Sequence, residues 1–256
     1  MKDTSKLLER VVEIAREAGQ YQKENFRRKD LVIDSKSNVT DLVTEVDKKS
    51  EDIILGHIKR EYPDHAILSE ETGRNDKESD YLWVVDPLDG TNNYAQGLPV
   101  FCVSIGLRYK GETILGVVYA SYIDEIFWAT KDGGAFFNGE KIEVAQEREL
   151  NRCVLATGFP YDKGTHPLNN LEYVNRLVPQ LRGIRRMGAA AYDLCAVAMG
   201  ILDGYWEMNI SPWDAEAGAL IVREAGGVVE SFREDRNISI VAGNRVIVNK
   251  IRENLG

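Results

Sequence analysis

With 256 residues, 43% of them hydrophobic and 29% charged, the chain can bury a sizeable core, as one large domain or as two lobes sharing an interface. Its formal net charge of -9, with basic residues that gather into no long stripe, argues against a nucleic-acid partner. No apolar run approaches the ~20 residues needed to cross a bilayer and no signal-peptide pattern is visible, so a soluble, cytoplasmic protein without a membrane partner is expected.

Three dispersed cysteines, Cys102, Cys153 and Cys195, sit in apolar surroundings and read as buried thiols of a reducing compartment. The three histidines, His57, His65 and His166, form no i, i+4 pair of the kind that holds zinc, so any metal is expected on oxygen ligands.

In chain order, Leu7, Leu8, Val11, Ile14, Ala15, Ala18 and Tyr21 recur at helical spacing. After a polar stretch Val43, Val46, Ile53, Ile54 and Ile58 do so again, which predicts two opening amphipathic helices. Residues 65–69 and 81–86 read as strands, and from Val100 to Val144 a meander follows, with strands near 103–107, 114–119 and 126–129. The turn signals Lys110-Gly111, Asp132-Gly133-Gly134 and Asn138-Gly139 between them predict antiparallel pairing. Beyond about 145 the rhythm becomes α/β. Strands are predicted at 154–157, 205–208, 228–230 and 238–241, and helices near 169–181, 190–199, 215–224 and from Arg245. The expectation is an α/β protein with an α+β first lobe over 1–145, carrying an antiparallel sheet, and an α/β lobe over 146–256.

The run Trp83-Val84-Val85-Asp86-Pro87-Leu88-Asp89-Gly90-Thr91 passes from a dry strand to two carboxylates. Acids crowded at a strand end repel one another unless a proton or a cation intervenes. A hard divalent cation such as Mg²⁺ meets that need with one or two carboxylates, waters and a substrate phosphate, and an aspartate between two ions can bridge them. Asp86 is the natural bridge. Pro87 holds its predecessor extended, so Asp86 is expected to end the strand, with the Leu88 carbonyl turned toward a cation. Gly90 and Thr91 then open a short helix whose positive end suits a phosphate oxygen. Glu70, in Ile67-Leu68-Ser69-Glu70-Glu71, and Asp214, in Ser211-Pro212-Trp213-Asp214-Ala215, stand at similar handovers, although Asp214 alone reads equally as a helix cap. Phosphatases with an aspartyl nucleophile also carry a strand followed by Asp-x-Asp-Gly-Thr. Here the nucleophile's slot is Pro87, so no aspartyl-phosphate can form there.

Taken together, these residues resemble the inositol monophosphatase family of metal-dependent, lithium-sensitive phosphatases. The resemblance rests on Trp83 to Tyr94, on Pro212-Trp213-Asp214-Ala215-Glu216-Ala217-Gly218, on the pair Glu70-Glu71 and on Thr40-Asp41-Leu42-Val43-Thr44-Glu45-Val46-Asp47. It implies a layered α-β-α-β-α sandwich, a homodimer, and two or three Mg²⁺ ions per site, with Mn²⁺ as a substitute. It implies further that Glu70, Asp86 and the Leu88 carbonyl hold a first ion, that Asp86, Asp89 and Asp214 hold a second, and that Glu70 helps a looser third. Thr91 with Asp47 would polarise the attacking water, and Glu70 would share in catalysis. Asp89, Gly90, Thr91, Ala190 and Glu207 would contact the substrate, Ala190 through its backbone. Thr44-x-x-Asp47 also reads as a capping box, and Glu207 as a solvated strand residue.

The activity implied is hydrolysis of inositol monophosphate, with water activated at the cations attacking phosphorus in line. Fructose 1,6-bisphosphate is the alternative or second substrate. For it, Arg185 and Arg186 could reach a second phosphate or could simply be solvated surface residues. A regulatory binding protein on the same scaffold is the remaining reading, and four retained acidic ligands speak against it.

Overall fold

The computed structural model describes residues 4–35 and 42–256, so Thr40 and Asp41 of the fourth motif lie outside the described residues. The chain opens with α1 (Thr4–Asn25), the antiparallel pair β1 (Ile33–Ser35) and β2 (Leu42–Thr44), and α2 (Glu45–Glu61). Val43 belongs to β2 and not to the second helix, because a capping box sets the helix start after it. The Thr44 hydroxyl accepts the amides of Val46 (3.1 Å) and Asp47 (3.4 Å), and Asp47 Oδ2 accepts the amide of Thr44 (2.9 Å).

Next come β3 (Ala66–Ser69), β4 (Gly73–Arg74), β5 (Tyr81–Asp89) and the single turn α3 (Thr91–Gln96). The meander follows as β6 (Cys102–Tyr109), β7 (Glu112–Ala120), β8 (Glu125–Thr130), β9 (Gly134–Phe137) and β10 (Glu140–Lys141). Apart from α3 these form one eight-stranded sheet in the order β10-β9-β8-β7-β6-β5-β3-β4. Its neighbours are antiparallel except β3 and β5, which run parallel with Ser69 opposite Val85. That pairing ends both strands at the same edge and sets Glu70 beside Asp86.

The remainder comprises β11 (Val154–Thr157), α4 (Leu171–Leu177), β12 (Gly183–Arg185), α5 (Ala190–Ala198), β13 (Gly204–Ile210), α6 (Pro212–Glu224), β14 (Val228–Ser231), β15 (Ile238–Gly243) and α7 (Arg245–Leu255). Its five strands form a second sheet, β12-β11-β13-β15-β14. The helix predicted to reach 181 stops at Leu177 and passes into one 3₁₀ turn, because Pro179 has no amide to continue it. Conversely α6 starts three residues earlier than its apolar periodicity suggests, since proline is favoured at a first helical position.

Five layers result. Helices α1 and α2 bury Val11, Ile14, Ala18, Ile54 and Ile58 on one face of the large sheet, against Trp83, Val85, Ile105 and Val117. On its other face α5 and α6 bury Leu194, Val197, Ala217 and Ile221 between the two sheets. Helices α4 and α7 cover the outer face of the second sheet with Leu177, Ile247, Val248 and Ile251, around Trp206. The fold is therefore the layered α-β-α-β-α sandwich.

Strand β5 does not end at Asp86. It continues to Asp89 through an irregularity: Asp86 faces Ser104 on β6 and Asp89 faces Cys102, so β5 spends one residue more than β6 over this stretch. Residues three apart on a regular strand point to opposite faces, and one extra residue returns them to the same face. The bulge thus aims both aspartates into one hollow. Its displaced Pro87 carbonyl accepts from the Nε2 of Gln22, a fully buried α1 residue whose Oε1 in turn accepts from Ser121. Replacing Gln22 with methionine keeps the volume but strands that carbonyl and the Ser121 hydroxyl, and should cost about 1–3 kcal/mol. Urea unfolding would show this as a lower midpoint, and an unchanged midpoint would contradict the assignment.

Candidate active site

A cavity of about 250 Å³ opens where the C-terminal edges of β3 and β5 meet the starts of α5 and α6. Glu70, Asp86, Leu88, Asp89, Gly90, Thr91, Ala190, Glu207 and Asp214 all line it. Asp47 stands directly behind Thr91. Residues singled out across 168 positions of chain are thus brought to one place, 47 and 214 being the outermost.

Two of the aspartates serve helix ends and cavity at once. Asp47 uses Oδ2 in the capping box of α2 and offers Oδ1 to the Thr91 hydroxyl at 2.6 Å. That hydroxyl also lies 3.0 Å from the Leu88 carbonyl, but it has one proton, and the carboxylate is the closer and stronger acceptor. Asp214 occupies the equivalent third position of α6 and takes the Ser211 amide on Oδ2 at 2.7 Å. In both cases the cap is present and the same carboxylate also stands at the cavity or directly behind it.

Asp89 caps a helix that has no cap of its own. No side chain at Ala189 bonds the start of α5. Instead the amides of Ala190 and Ala191 donate to Asp89 Oδ1 (3.2 Å) and Oδ2 (2.8 Å). The Ala190 amide is therefore engaged by Asp89, and the donor role implied for it toward a substrate hydroxyl competes with that bond. Gly90 is required twice over: its φ is +92°, and a Cβ there would lie 2.9 Å from the Val100 carbonyl.

The acids raise one another's proton affinity. Burial first, and then the charges of Glu70, Asp89 and Asp214, push Asp86 well above the usual carboxylate range, and Asp214 is displaced in the same direction by burial, Asp89 and Glu70. Asp89 is raised to about 6 by burial, against the lowering pull of the amides that bind it. Asp47 is raised by burial and held back by its bonds to Thr44 and Thr91. Glu207 reaches about 7, again through burial, although Tyr205 donates to its Oε2 at 2.7 Å.

The donor set fits hard divalent cations. It consists of carboxylates and one carbonyl, and Arg186 is the cationic side chain on the cavity wall among the described residues. No three His, Cys, Asp or Glu side chains among the described residues converge tightly enough to hold an ion unaided. Any ion held here would have to draw the carboxylates closer and complete its shell with water and phosphate oxygens.

Several residues of the site escaped sequence reasoning. Asn93 donates to the carbonyls of Val100 and Met187, both at 2.7 Å, and so ties α3 to the approach to α5. Glu51 accepts the amides of Glu71 (3.2 Å) and Thr72 (3.1 Å) and pins the loop that carries Glu70. Gly158 leaves room for Glu207, whose Oε1 would lie 1.9 Å from a Cβ at that position. The two arginines part company: Arg186 lines the cavity, while Arg185 donates back to the Ile184 carbonyl at 3.0 Å.

Acids converging on a hollow at helix starts are the setting that phosphatases with oxygen-bound cations use, and the relatives of this chain point the same way. The sequence profile of the inositol monophosphatase family matches residues 3–255, and the chain belongs to that family. It is 43% identical over 260 residues to the Haemophilus influenzae protein called Nus factor SuhB, covering 98% of this chain and 97% of that one. It is 47% identical over 201 residues to the Synechocystis inositol-1-monophosphatase, covering 78% and 70%. Among solved structures, Thermotoga maritima IMPase superposes with a TM-score of 0.88 at 33% identity, covering 98% of this chain and 96% of that one. The protein is thus a phosphatase by family.

The raised acids imply a pH dependence with a definite sign. A carboxyl whose folded pKa exceeds its unfolded value of about 4 stabilises the fold at low pH, and that contribution is lost as the pH rises through the folded value. With Asp89 near 6, Glu207 near 7 and Asp86 and Asp214 also raised, the metal-free protein should lose stability as the pH rises from about 4 to 7 and beyond. Added Mg²⁺ should restore more at pH 8 than at pH 5. Urea midpoints at both values, with and without Mg²⁺, check this, and a Mg²⁺ effect larger at pH 5 would contradict it.

Proposed function

We propose that the chain is a Mg²⁺-dependent phosphomonoesterase acting on inositol monophosphate. The observation that carries this reading is the convergence of Glu70, Asp86, Asp89 and Asp214 on a hollow whose wall carries Arg186 as its cation among the described residues. Glu70, Asp86 and the Leu88 carbonyl would hold one ion and Asp86, Asp89 and Asp214 another, with Mn²⁺ as a substitute. Such ions supply positive charge to the phosphate, lower the pKa of water and neutralise the departing oxygen.

The chain's own residues supply the positioning. Thr91 donates a hydrogen bond to Asp47 and keeps a lone pair that would accept a hydrogen bond from the attacking water, so the Asp47 carboxylate polarises that water through the hydroxyl. Gly90, with no side chain, lets the phosphate approach the turn closely. Glu207 accepts from substrate hydroxyls, and its orientation is fixed by Tyr205 and by the space at Gly158. Arg186 favours a second reading, fructose 1,6-bisphosphate, since it places one guanidinium where a second phosphate could lie. A homodimer is supported by exposed Leu98 and Ile123, on segments that Arg27 links by donating to the Gly97 carbonyl and covering the Tyr122 ring. A regulatory role of the kind the relatives' name Nus factor suggests would stand beside catalysis, not replace it, because the acids are intact.

Phosphate release from a panel of inositol and sugar phosphates, with Mg²⁺ and with excess chelator, tests the proposal. Turnover of inositol monophosphate that stops in chelator is expected, and undiminished turnover there would sink the metal reading. The Thr91 and Asp47 pair has its own test. Thr91→Ala should slow single-turnover hydrolysis by about 10²–10⁴ while Mg²⁺ affinity stays near native. Asp47→Asn should act through the same pair, so the double variant should lose less than the product of the two single losses. Multiplicative losses would leave Asp47 as a helix cap alone.

A further inference from the structure

Cys102 lies directly opposite Asp89 across the β5–β6 ladder, at the point where pairing resumes after the bulge. Its side chain is fully buried, and its Sγ lies 3.6 Å from Asp89 Oδ2, within reach of an S–H···O bond. The plain reading of a cysteine at an inward-facing strand position is that of a small hydrophobe in the core. Register and distance say more. Asp89 Oδ2 takes two donors, the Ala191 amide and the Cys102 thiol, one from α5 and one from β6, whereas Oδ1 takes only the Ala190 amide at the longer distance of 3.2 Å. A carboxylate oxygen has two lone pairs, so Oδ2 is the anchored oxygen and Oδ1 is the one left with capacity for a cation.

We infer that Cys102 is a positioning residue for the second cation: its thiol, with the α5 amides, locks the Asp89 carboxylate in the rotation that presents Oδ1 to the ion. Without the thiol, Asp89 is held by the two amides of one helix end alone, one on each oxygen, and its orientation is less firmly set. Partners that orient a metal ligand from behind change metal affinity even though they never touch the ion. Cys195 is a built-in comparison, since it is equally buried in the same core between the sheets and makes no hydrogen bond to Asp89 among those described.

The inference rests on Asp89 being a cation ligand, and the experiment separates the two claims. Mg²⁺ alone, and Mn²⁺ alone, are titrated calorimetrically into the full-length native chain and into Cys102→Ala, Cys102→Ser and Cys195→Ala, with kcat and KM measured for each. Cys102→Ala should weaken one binding step by about tenfold, the lower end of the effect usual for such partners. Cys102→Ser, which keeps a donor, should bind near the native level, and Cys195→Ala, which removes the same buried sulfur without touching Asp89, should bind like the native chain. At limiting Mg²⁺ the Cys102→Ala rate should fall, and excess Mg²⁺ should recover it. Equal losses in Cys102→Ala and Cys195→Ala, no loss in Cys102→Ala, or failure of Cys102→Ser to restore binding would overturn the inference while leaving the metal reading intact. A native chain that binds neither ion would overturn the metal reading itself.

Discussion

The site depends on one extra residue in a β-strand. A regular β5 would place Asp86 and Asp89 on opposite faces of the large sheet, one toward α1 and α2 and the other toward α5 and α6. The bulge at Pro87 and Leu88 turns both to the second face, and Gln22 takes up the carbonyl that the bulge releases. Two consequences follow from that placement. Asp89 reaches the amides of α5 and joins the second half of the chain to the first, and Thr91 arrives at Asp47. Its cost is a knot of buried carboxylates, which protons relieve at low pH and which divalent cations would relieve at neutral pH.

The acids are not set apart from the scaffold. Asp47 and Asp214 sit at the third position of α2 and α6, where one carboxylate oxygen closes the helix end and the other side of the group faces the site. Asp89 does the same for α5 from a neighbouring strand. The amides at these helix ends help orient the side chains and favour the charged form of carboxylates in a dry place. Preorganisation of the site is therefore built from the same hydrogen bonds that start three of the helices. It also means that substitutions at these aspartates must be read with stability in view, since each removes a cap, worth about 1 kcal/mol, as well as a carboxylate of the candidate site.

Much of this was legible in the sequence. Periodicity located the opening helices, the meander and the alternating second half, and the clustered acids with Pro87, Gly90 and Thr91 located the site. What stayed hidden has physical reasons. A bulge leaves no compositional mark, so Asp86 looked like the end of its strand. Val43 matched a helical period that the Thr44 cap overrides. The three-residue edge strand β12 is too short to show a period at all. Gln22, Glu51, Asn93 and Cys102 act through partners from 7 to 99 positions away, at distances only the fold creates. Arg185 and Arg186 are neighbours in sequence, and only the geometry shows which one reaches the cavity.

The most direct measurement is anomalous diffraction from crystals grown with Mn²⁺ in place of Mg²⁺. If the bulge exists to aim Asp86 and Asp89 at shared cations, anomalous peaks will lie within bonding distance of both carboxylates, with Asp86 common to two ions. Manganese bound elsewhere, with Asp86 and Asp89 in contact only with protein and water at neutral pH, would contradict the account.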